Sequence, residues 1–240
     1  MSHPPLAQTI AARAETVRER IARAAERSGR PDDVTLIAVT KTHPIDTLRA
    51  AVEAGLRDFG ENRVQELAEK ADALPGEHRG GDVRWHLIGS LQSNKSSDTA
   101  ALADAFHALD RPKLVRTLGA AAEDLDRELE VFVQVNISGE DSKHGVAPDA
   151  AHALIAAAAE APGLRVVGLM GMAAPAHSDA DRERIVRPAF ARLRELRDTY
   201  SGPGRGTLTR LSMGMSGDYE IAVEEGATHV RVGSALFGQR

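Results

Sequence analysis

The sequence predicts an α/β fold in which eight strands close into a single (β/α)8 TIM barrel, with an additional helix before the first strand. Strand-like and helix-like segments alternate along the chain, and eight such repeats in about 200 residues approach the minimum for a closed barrel. No G-x-G-x-x-G motif follows the first strand, which argues against the competing architecture, an open doubly wound sheet. We expect residues 1–240 to form one domain.

The first predicted element is an amphipathic helix over residues 6–28. Ile10, Val17 and Ile21 recur at helical spacing among arginines and glutamates, so one face is apolar and the other charged. Gly29 follows and marks its end.

The eight predicted strands are short runs rich in Val, Leu and Ile, bounded by turn-forming residues. They cover residues 34–40, 57–60, 84–88, 106–109, 131–136, 164–170, 207–212 and 228–232. The segments between them place apolar residues on one helical face. These predicted helices cover residues 45–54, 62–73, 92–103, 111–127, 148–160, 179–199 and 218–225.

Composition excludes several classes of function. The net charge is −5 without a long run of like charges, so neither nucleic acid nor an anionic membrane is an expected partner. Cysteine is absent, which excludes disulfides and thiolate metal sites, and no metal is predicted. Aromatic residues make up 3% of the chain, so we expect a core of Val, Leu, Ile and Ala. No apolar run reaches membrane-spanning length and no signal-peptide pattern is present, which predicts a soluble cytoplasmic protein.

Lys41 ends the first predicted strand, and Pro44 begins the next helix. In a barrel of this kind the reactive side chains follow the carboxyl ends of the strands. Burial at a hydrophobic barrel mouth disfavours an ammonium, and the neutral amine can form a Schiff base with an aldehyde. Considered alone, Lys41 would be interpreted as an ordinary solvated lysine. Lys95 and Lys143 are the rival lysines at this rim.

The loops after strands seven and eight resemble the recurrent phosphate site of these barrels. Gly214 and Gly233 allow the backbone to approach an anion, and the neighbouring hydroxyls add donors. Ser212, Ser216 and Ser234 supply the hydroxyls, and the predicted cofactor-binding residues of the two loops are Ser212, Met213, Gly214, Gly233 and Ser234. Neither loop carries the P-loop pattern of nucleotide-binding proteins.

The alternative role for part of this region is helix capping. Ser216 or Asp218 could cap the short helix over residues 218–225. That role would require no ligand at all.

Arg231 lies inside strand eight. Alternation places His229, Arg231 and Gly233 on one face and the two valines on the other. If the valines face the helices, Arg231 points into the barrel, where a buried guanidinium needs an acceptor. That acceptor is either an acidic side chain of the barrel or a ring nitrogen of a ligand. A Schiff-base amine, a phosphate loop and an interior arginine together fit pyridoxal 5′-phosphate (PLP).

The chain resembles the pyridoxal phosphate homeostasis proteins. The matching segments are Ala38-Val-Thr-Lys-Thr-His43, Phe59-Gly-Glu-Asn-Arg-Val-Gln-Glu66, Trp85-His-Leu-Ile-Gly-Ser-Leu-Gln-Ser-Asn-Lys95, Val135-Asn-Ile-Ser138, Gly168-Leu-Met170, Leu211-Ser-Met-Gly-Met-Ser216 and Val230-Arg-Val-Gly233. They span nearly the whole chain in order.

The resemblance implies a fold-type III barrel like the N-terminal domain of alanine racemase. It implies a covalent imine between PLP and Lys41, phosphate contacts from Ser212 and the Gly233–Ser234 backbone, and Arg231 at the pyridine nitrogen. Asn62 and His86 fall on family motifs near the cofactor.

The resemblance also implies a protein that buffers or delivers PLP without catalytic turnover. Racemase-like enzymes use a tyrosine from a second domain, whereas the two tyrosines here, Tyr200 and Tyr219, are expected away from the rim or packed. A small amino-acid racemase is the alternative, and a Schiff-base aldolase barrel is a third. The expected partners are PLP and the apo forms of PLP-dependent enzymes, and we expect a monomer.

Overall fold

Eight parallel strands form a closed barrel in sequence order, and the last strand pairs with the first. The computed structural model describes residues 5–30, 33–74, 81–139, 144–201 and 208–239. The predicted (β/α)8 barrel is therefore confirmed, and the open doubly wound sheet is excluded.

The strands are close to their predicted positions except for the fifth and the seventh, which are shifted along the chain. They are β1 Thr35–Val39, β2 Asp58–Glu61, β3 Arg84–Leu87, β4 Ala105–Leu109, β5 Leu129–Gln134, β6 Leu164–Met170, β7 Arg210–Met215 and β8 His229–Val232. The end of β5 comes two residues earlier than predicted. The end of β7 comes three residues later, because pairing with β6 and β8 carries a stretch of low strand propensity into the sheet.

The helices cover the outside of the barrel. They are α1 Leu6–Arg27, α2 Ile45–Glu53, α3 Val64–Asp72, α4 Ser96–Leu102, α5 Pro112–Asp124, α6 Ala151–Ala159, α7 Asp179–Asp181, α8 Arg187–Tyr200, α9 Tyr219–Glu224 and α10 Ser234–Phe237. Short 3-10 turns, Ser93–Lys95 and Pro148–Ala150, precede α4 and α6. Within the described ranges, no helix combines the length and apolar character needed to cross a bilayer.

The predicted helix over residues 179–199 is interrupted. A π-helical segment, Arg182–Val186, separates α7 from α8. Pro188 lies at the start of α8 and has no N–H to donate, so the regular hydrogen-bond ladder cannot continue through it. The helix α10 was not predicted, because four residues are too few for a periodic signal.

The core between barrel and helices holds most of the few aromatic side chains. Trp85, Phe59, Phe106 and Phe190 are fully buried there, whereas the fully buried Phe132 lies inside the barrel and stacks on His107. The expectation of an aliphatic core was therefore incomplete, because a low aromatic count does not say where the aromatic residues lie.

The interior of the barrel is polar to an unusual degree. Thr35 pairs with His229 and Ile37 with Arg231 across β1 and β8, and both His229 and Arg231 are buried. At the amino-terminal end, Glu130 accepts hydrogen bonds from Arg84, Arg165 and Arg210. Barrels of this type are usually filled with branched apolar side chains.

Candidate functional site

A cavity of about 700 Å³ opens at the carboxyl ends of the strands. Five of the nine predicted ligand-binding residues line it: Lys41, Asn62, Arg231, Gly233 and Ser234. They come from the ends of β1, β2 and β8, which lie far apart in the sequence. Barrel closure brings these ends to one rim, as the fold prediction required.

Lys41 is half-buried in a tight turn after β1. The turn is closed by a hydrogen bond from the backbone N–H of His43 to the carbonyl oxygen of Thr40, at 2.9 Å. Thr42 has a φ of 62°, in the left-handed region that a β-branched residue rarely adopts. Its N–H donates to the carboxylate of Glu66 on α3, which stabilises this conformation. The amine of Lys41 is therefore presented by a backbone that α3 holds in place.

A buried ion-pair cluster supports the same turn from outside the barrel. Lys70 is 3% exposed, and its Nζ lies 2.6 Å from the Thr40 carbonyl oxygen and 2.7 Å from a carboxylate oxygen of both Glu61 and Glu66. Burial raises the pKa of Glu61, and the hydrogen bonds from Lys70 and Thr40 oppose that rise. Sequence reasoning did not single out this cluster, although the i,i+4 spacing of Glu66 and Lys70 was a usable signal.

Asn62 lies where two neighbouring strands approach closely. A Cβ atom on Gly89 would lie 2.3 Å from the Asn62 carbonyl oxygen, so only glycine fits after β3 at this point. Asn62, Gly89 and Ser90 form one wall of the cavity.

Arg231 is buried inside the barrel and also lines the cavity. Its Nη1 donates to Ser212 Oγ at 2.8 Å, and its Nη2 donates to the Gly171 carbonyl oxygen at 3.2 Å. Burial lowers the pKa of Arg231 to about 10, and the Asp218 carboxylate opposes this shift. Both described acceptors are neutral, so the acidic barrel partner considered as an alternative is not its hydrogen-bond acceptor among the described residues.

On the side of β7 and β8, the cavity is lined by Ser216, Gly217, Gly233 and Ser234. The Oγ of Ser216 accepts hydrogen bonds from the backbone N–H groups of Gly233 and Ala235, at 3.1 and 3.3 Å. These two N–H groups are occupied by Ser216, and the hydroxyls of Ser216 and Ser234 remain as donors for an anion on this side of the cavity.

The two capping interpretations are corrected by these contacts. Ser216 caps the amides at the start of α10, not those of α9. Asp218 stands at the N-cap position of α9 but makes no side-chain cap there; its carboxylate accepts from the Met215 N–H at 2.6 Å. Burial raises the pKa of Asp218.

The other four predicted ligand-binding residues lie away from the cavity lining. His86 and Ser212 are buried in the barrel interior, and Met213 is buried within β7. Gly214 has a φ of 91°, and a Cβ atom on it would lie 2.5 Å from the Cβ of Ala222, so this glycine permits close packing of α9. A ligand contact from these four residues stays a prediction.

Gln134 is a cavity residue that sequence reasoning missed. It is the last residue of β5 and is 2% exposed. Its Nε2 donates to the His144 carbonyl oxygen at 3.3 Å, and its Oε1 has no hydrogen-bond partner among the described residues. The predicted strand ran on to residue 136, so its end was not placed at Gln134. The side chain of Asn136 accepts from the N–H and the hydroxyl of Ser138.

Of the rival lysines, Lys95 lies outside the cavity lining. Its Nζ contacts Asp98 Oδ2 at 3.3 Å on the adjoining helix α4. Lys143 lies outside the described residues.

The family model of the alanine racemase N-terminal domain matches residues 13–240. The pyridoxal phosphate homeostasis protein of Pseudomonas aeruginosa is 45% identical over 238 residues, covering 97% of this chain and 96% of that protein. The protein of the same name from Aquifex aeolicus is 40% identical over 229 residues, covering 95% and 97%. The chain belongs to the pyridoxal phosphate homeostasis family.

Solved structures agree with this membership. PipY of Synechococcus elongatus, solved with PLP bound, matches with a TM-score of 0.75 and 36% identity, covering 92% of this chain and all (100%) of that one. The alanine racemase of Bartonella henselae matches with a TM-score of 0.69 at 16% identity, a level that shows a shared fold alone.

Proposed function

We propose that this protein binds PLP as a Schiff base on Lys41 and acts in PLP homeostasis as a buffer or carrier, without catalytic turnover. The observation that carries the proposal is that Lys41, Arg231 and the Gly233–Ser234 segment line one cavity. The PLP-bound PipY structure and the names of the curated relatives support the choice of ligand.

The residues of the cavity fit PLP on chemical grounds. Arg231 has five N–H donors, of which two have described acceptors, so donors remain for a ring nitrogen. Gln134 supplies a buried oxygen that has no partner in the part of the chain that the structure describes, and such an oxygen is costly unless a donor reaches it. The hydroxyls of Ser216 and Ser234, which line the cavity, suit a phosphate.

Bound PLP supplies an aldehyde carbon that a primary amine can attack. Lys41 provides the amine, and its turn is held by α3 through Glu66 and Lys70. The hydroxyls of Ser216 and Ser234 would hold the phosphate, and Arg231 would orient the ring by donating to its nitrogen. Each of these steps is binding or orientation, which is sufficient for a carrier.

A tyrosine facing the ring is the feature that would distinguish a racemase-like enzyme from the proposed carrier. An arginine at the ring nitrogen keeps that nitrogen unprotonated, which weakens PLP as an electron sink. Racemisation then depends on acid–base groups on both faces of the ring. Neither tyrosine of the chain lines the cavity, because Tyr219 is 3% exposed and Tyr200 donates to the Pro148 carbonyl oxygen at 3.0 Å.

Incubation of the PLP-loaded protein with L-amino acids in deuterated water separates the two functions. We expect no steady exchange of the α-proton, and we expect transfer of PLP to an apo PLP-dependent enzyme, measured by recovery of that enzyme's activity. Sustained α-proton exchange with turnover would instead establish the racemase-like alternative. Purified protein that stays colourless after incubation with PLP would refute PLP binding itself.

Replacement of Arg231 by methionine is expected to weaken PLP binding about ten- to hundredfold, because a hydrogen bond from a charged donor contributes about 1.5–3 kcal/mol. Spectrophotometric titration with PLP measures this change. Arg63→Ala is the matched control, because Arg63 is an exposed arginine beside the rim that forms no side-chain cap on α3. Equal weakening in both variants would mean that Arg231 acts only through general attraction of the phosphate.

A further inference from the structure

A chain of hydrogen bonds crosses the barrel interior from its amino-terminal end to the cavity. Asp58 Oδ1 lies 2.9 Å from His86 Nε2, and His86 Nδ1 lies 3.0 Å from His107 Nε2. His107 Nδ1 lies 2.8 Å from Ser212 Oγ, which accepts from Arg231 Nη1 at 2.8 Å. We call these five side chains the interior relay. They come from β2, β3, β4, β7 and β8.

The direction of every hydrogen bond in the interior relay follows from its arginine end. A guanidinium is only a donor, so Ser212 Oγ accepts from Arg231 and its own hydrogen goes to His107 Nδ1. His107 must then carry its proton on Nε2 and donate to His86 Nδ1. His86 in turn donates from Nε2 to the carboxylate of Asp58. Each donor therefore has one acceptor.

The opposite direction is chemically worse. If His86 were an imidazolium, it would donate to His107, and His107 would donate to Ser212. The hydrogen of the Ser212 hydroxyl would then lack an acceptor in the interior relay, and a buried unpaired hydroxyl is costly. Burial also lowers the pKa of His107 well below its ordinary value. His107 is therefore assigned as neutral, with its proton on Nε2.

Stability alone does not explain this arrangement. Branched apolar side chains normally fill this space, and burying polar groups is costly unless every group is paired. His229 is buried in the same layer and stacks edge-on against His86 and His107. However, its Nδ1 bonds to Thr228 Oγ1, so it stands outside the interior relay. The interior relay ends on Arg231, which among the described residues is the one arginine that lines the cavity.

We propose that Ser212, His107 and His86 are positioning residues that hold the guanidinium of Arg231 against the ring of the ligand. The held guanidinium directs its remaining N–H groups into the cavity and selects an aromatic ligand whose ring nitrogen is an unprotonated acceptor. This inference rests on the proposed PLP binding. It gives Ser212 a role at the ring, in place of the phosphate contact predicted for it.

Two ligands that differ only at the ring nitrogen test the proposal. The probes are PLP and its analogue in which a C–H replaces that nitrogen, and the measurement is the dissociation constant of each for the wild type and three variants. His107→Phe retains a ring that can stack on Phe132, as His107 does at 4.3 Å, but removes both nitrogens. Ser212→Ala removes one oxygen, and His229→Phe is the matched control from the same layer.

We expect His107→Phe and Ser212→Ala each to weaken PLP about tenfold, because the Arg231 contact depends on alignment. Neither variant should alter the affinity for the analogue, and His229→Phe should retain the wild-type preference for PLP over the analogue. Parallel weakening of both ligands in His107→Phe or Ser212→Ala would overturn the proposal, as would unchanged PLP affinity in these variants.

Circular dichroism checks that each variant folds. If His107→Phe does not fold, Ser212→Ala carries the test, because it is the smallest change in the interior relay. The two proposals fail differently: a wild type that binds neither ligand refutes PLP binding, whereas a wild type that binds both equally well refutes only the positioning role.

Discussion

Lys41→Ala is expected to abolish the yellow colour that the wild-type protein develops with PLP, and to abolish the adduct that borohydride fixes. An imine needs a primary amine at the aldehyde carbon, and alanine has none. The fold should survive with a change in the free energy of unfolding within about 1 kcal/mol, because Lys41 is half-buried outside the core. The measurements are the visible absorption spectrum, mass spectrometry after borohydride reduction, and chemical denaturation.

The contacts of the neighbouring lysines make this expectation specific. Lys70 cannot replace Lys41, because its Nζ already contacts three acceptors in a buried cluster. Lys95→Ala is the matched control, since Lys95 lies outside the cavity lining and contacts Asp98; it should keep both the colour and the adduct. A reducible adduct that persists in Lys41→Ala would assign the anchor to another lysine, which peptide mapping would identify. Lys143→Ala would then be the next variant.

A steep loss of stability on mild acidification is the second large effect that we expect. Burial, with repulsion from neighbouring positive groups, lowers the pKa of His107 and His229 well below the ordinary value of 6.5. Both histidines are therefore neutral in the folded state, while the unfolded chain takes up their protons below about pH 6.5. Since the unfolded state then binds more protons, stability falls as the pH falls.

The size of this loss follows from linkage. Each histidine that stays neutral in the folded state lowers the free energy of unfolding by about 1.4 kcal/mol for every pH unit below the pKa of histidine in the unfolded chain. From about pH 7.5 to about pH 5.5, the two histidines together should remove about 3 kcal/mol from the free energy of unfolding. Urea denaturation of the protein at a series of pH values measures it.

The carboxylates change the free energy of unfolding mainly at lower pH than the two histidines do. Burial raises the pKa of Glu130, but Arg210, Arg84 and Arg165 outweigh it and the net shift is downward. The stabilisation that ionised Glu130 gives the folded state is fully present above the ordinary carboxylate pKa. It is lost as the pH falls through the lowered pKa of Glu130 in the folded state. Glu61 and Asp218 have raised pKa values, so their shifts favour the folded state as the pH falls towards the ordinary carboxylate range.

Two variants separate the buried histidines from general acid effects. His229→Phe removes one of the two titrating groups and should halve the loss of stability between the two pH values. His177→Gln should leave the loss unchanged, because His177 is exposed. A wild-type free energy of unfolding that stays level down to about pH 5.5 would show that the buried histidines do not remain neutral.

The part of the site that the sequence predicted is the part set by local rules. The position of Lys41 after an apolar strand and before Pro44 placed it at the barrel rim, and the cavity includes it. Alternation along residues 228–232 placed Arg231 inside the barrel, where it is found. Both inferences needed only the two-residue period of a strand and the rule that the carboxyl ends of the strands share one rim.

The remaining features of the site depend on which strands become neighbours and on the register in which those strands pair. Gly214 has a positive φ, and the pairing of β7 with β8 shifts register between Ser212 and Met215. β7 therefore ends beyond its predicted position, and Ser212 lies inside the barrel. Likewise, the contacts of His86 with Asp58 and His107 join residues 28 and 21 positions apart.

By itself, therefore, the sequence determined the barrel, the family and the residues presented at the strand ends, because apolar periodicity and motif spacing are written locally along the chain. Only the tertiary structure decided the cluster of Lys70 with Glu61 and Glu66, the cavity position of Gln134, and the interior relay. Hydrogen bonds between distant strands depend on how the barrel closes, and a shift of one residue in register would turn each of those side chains to the other face.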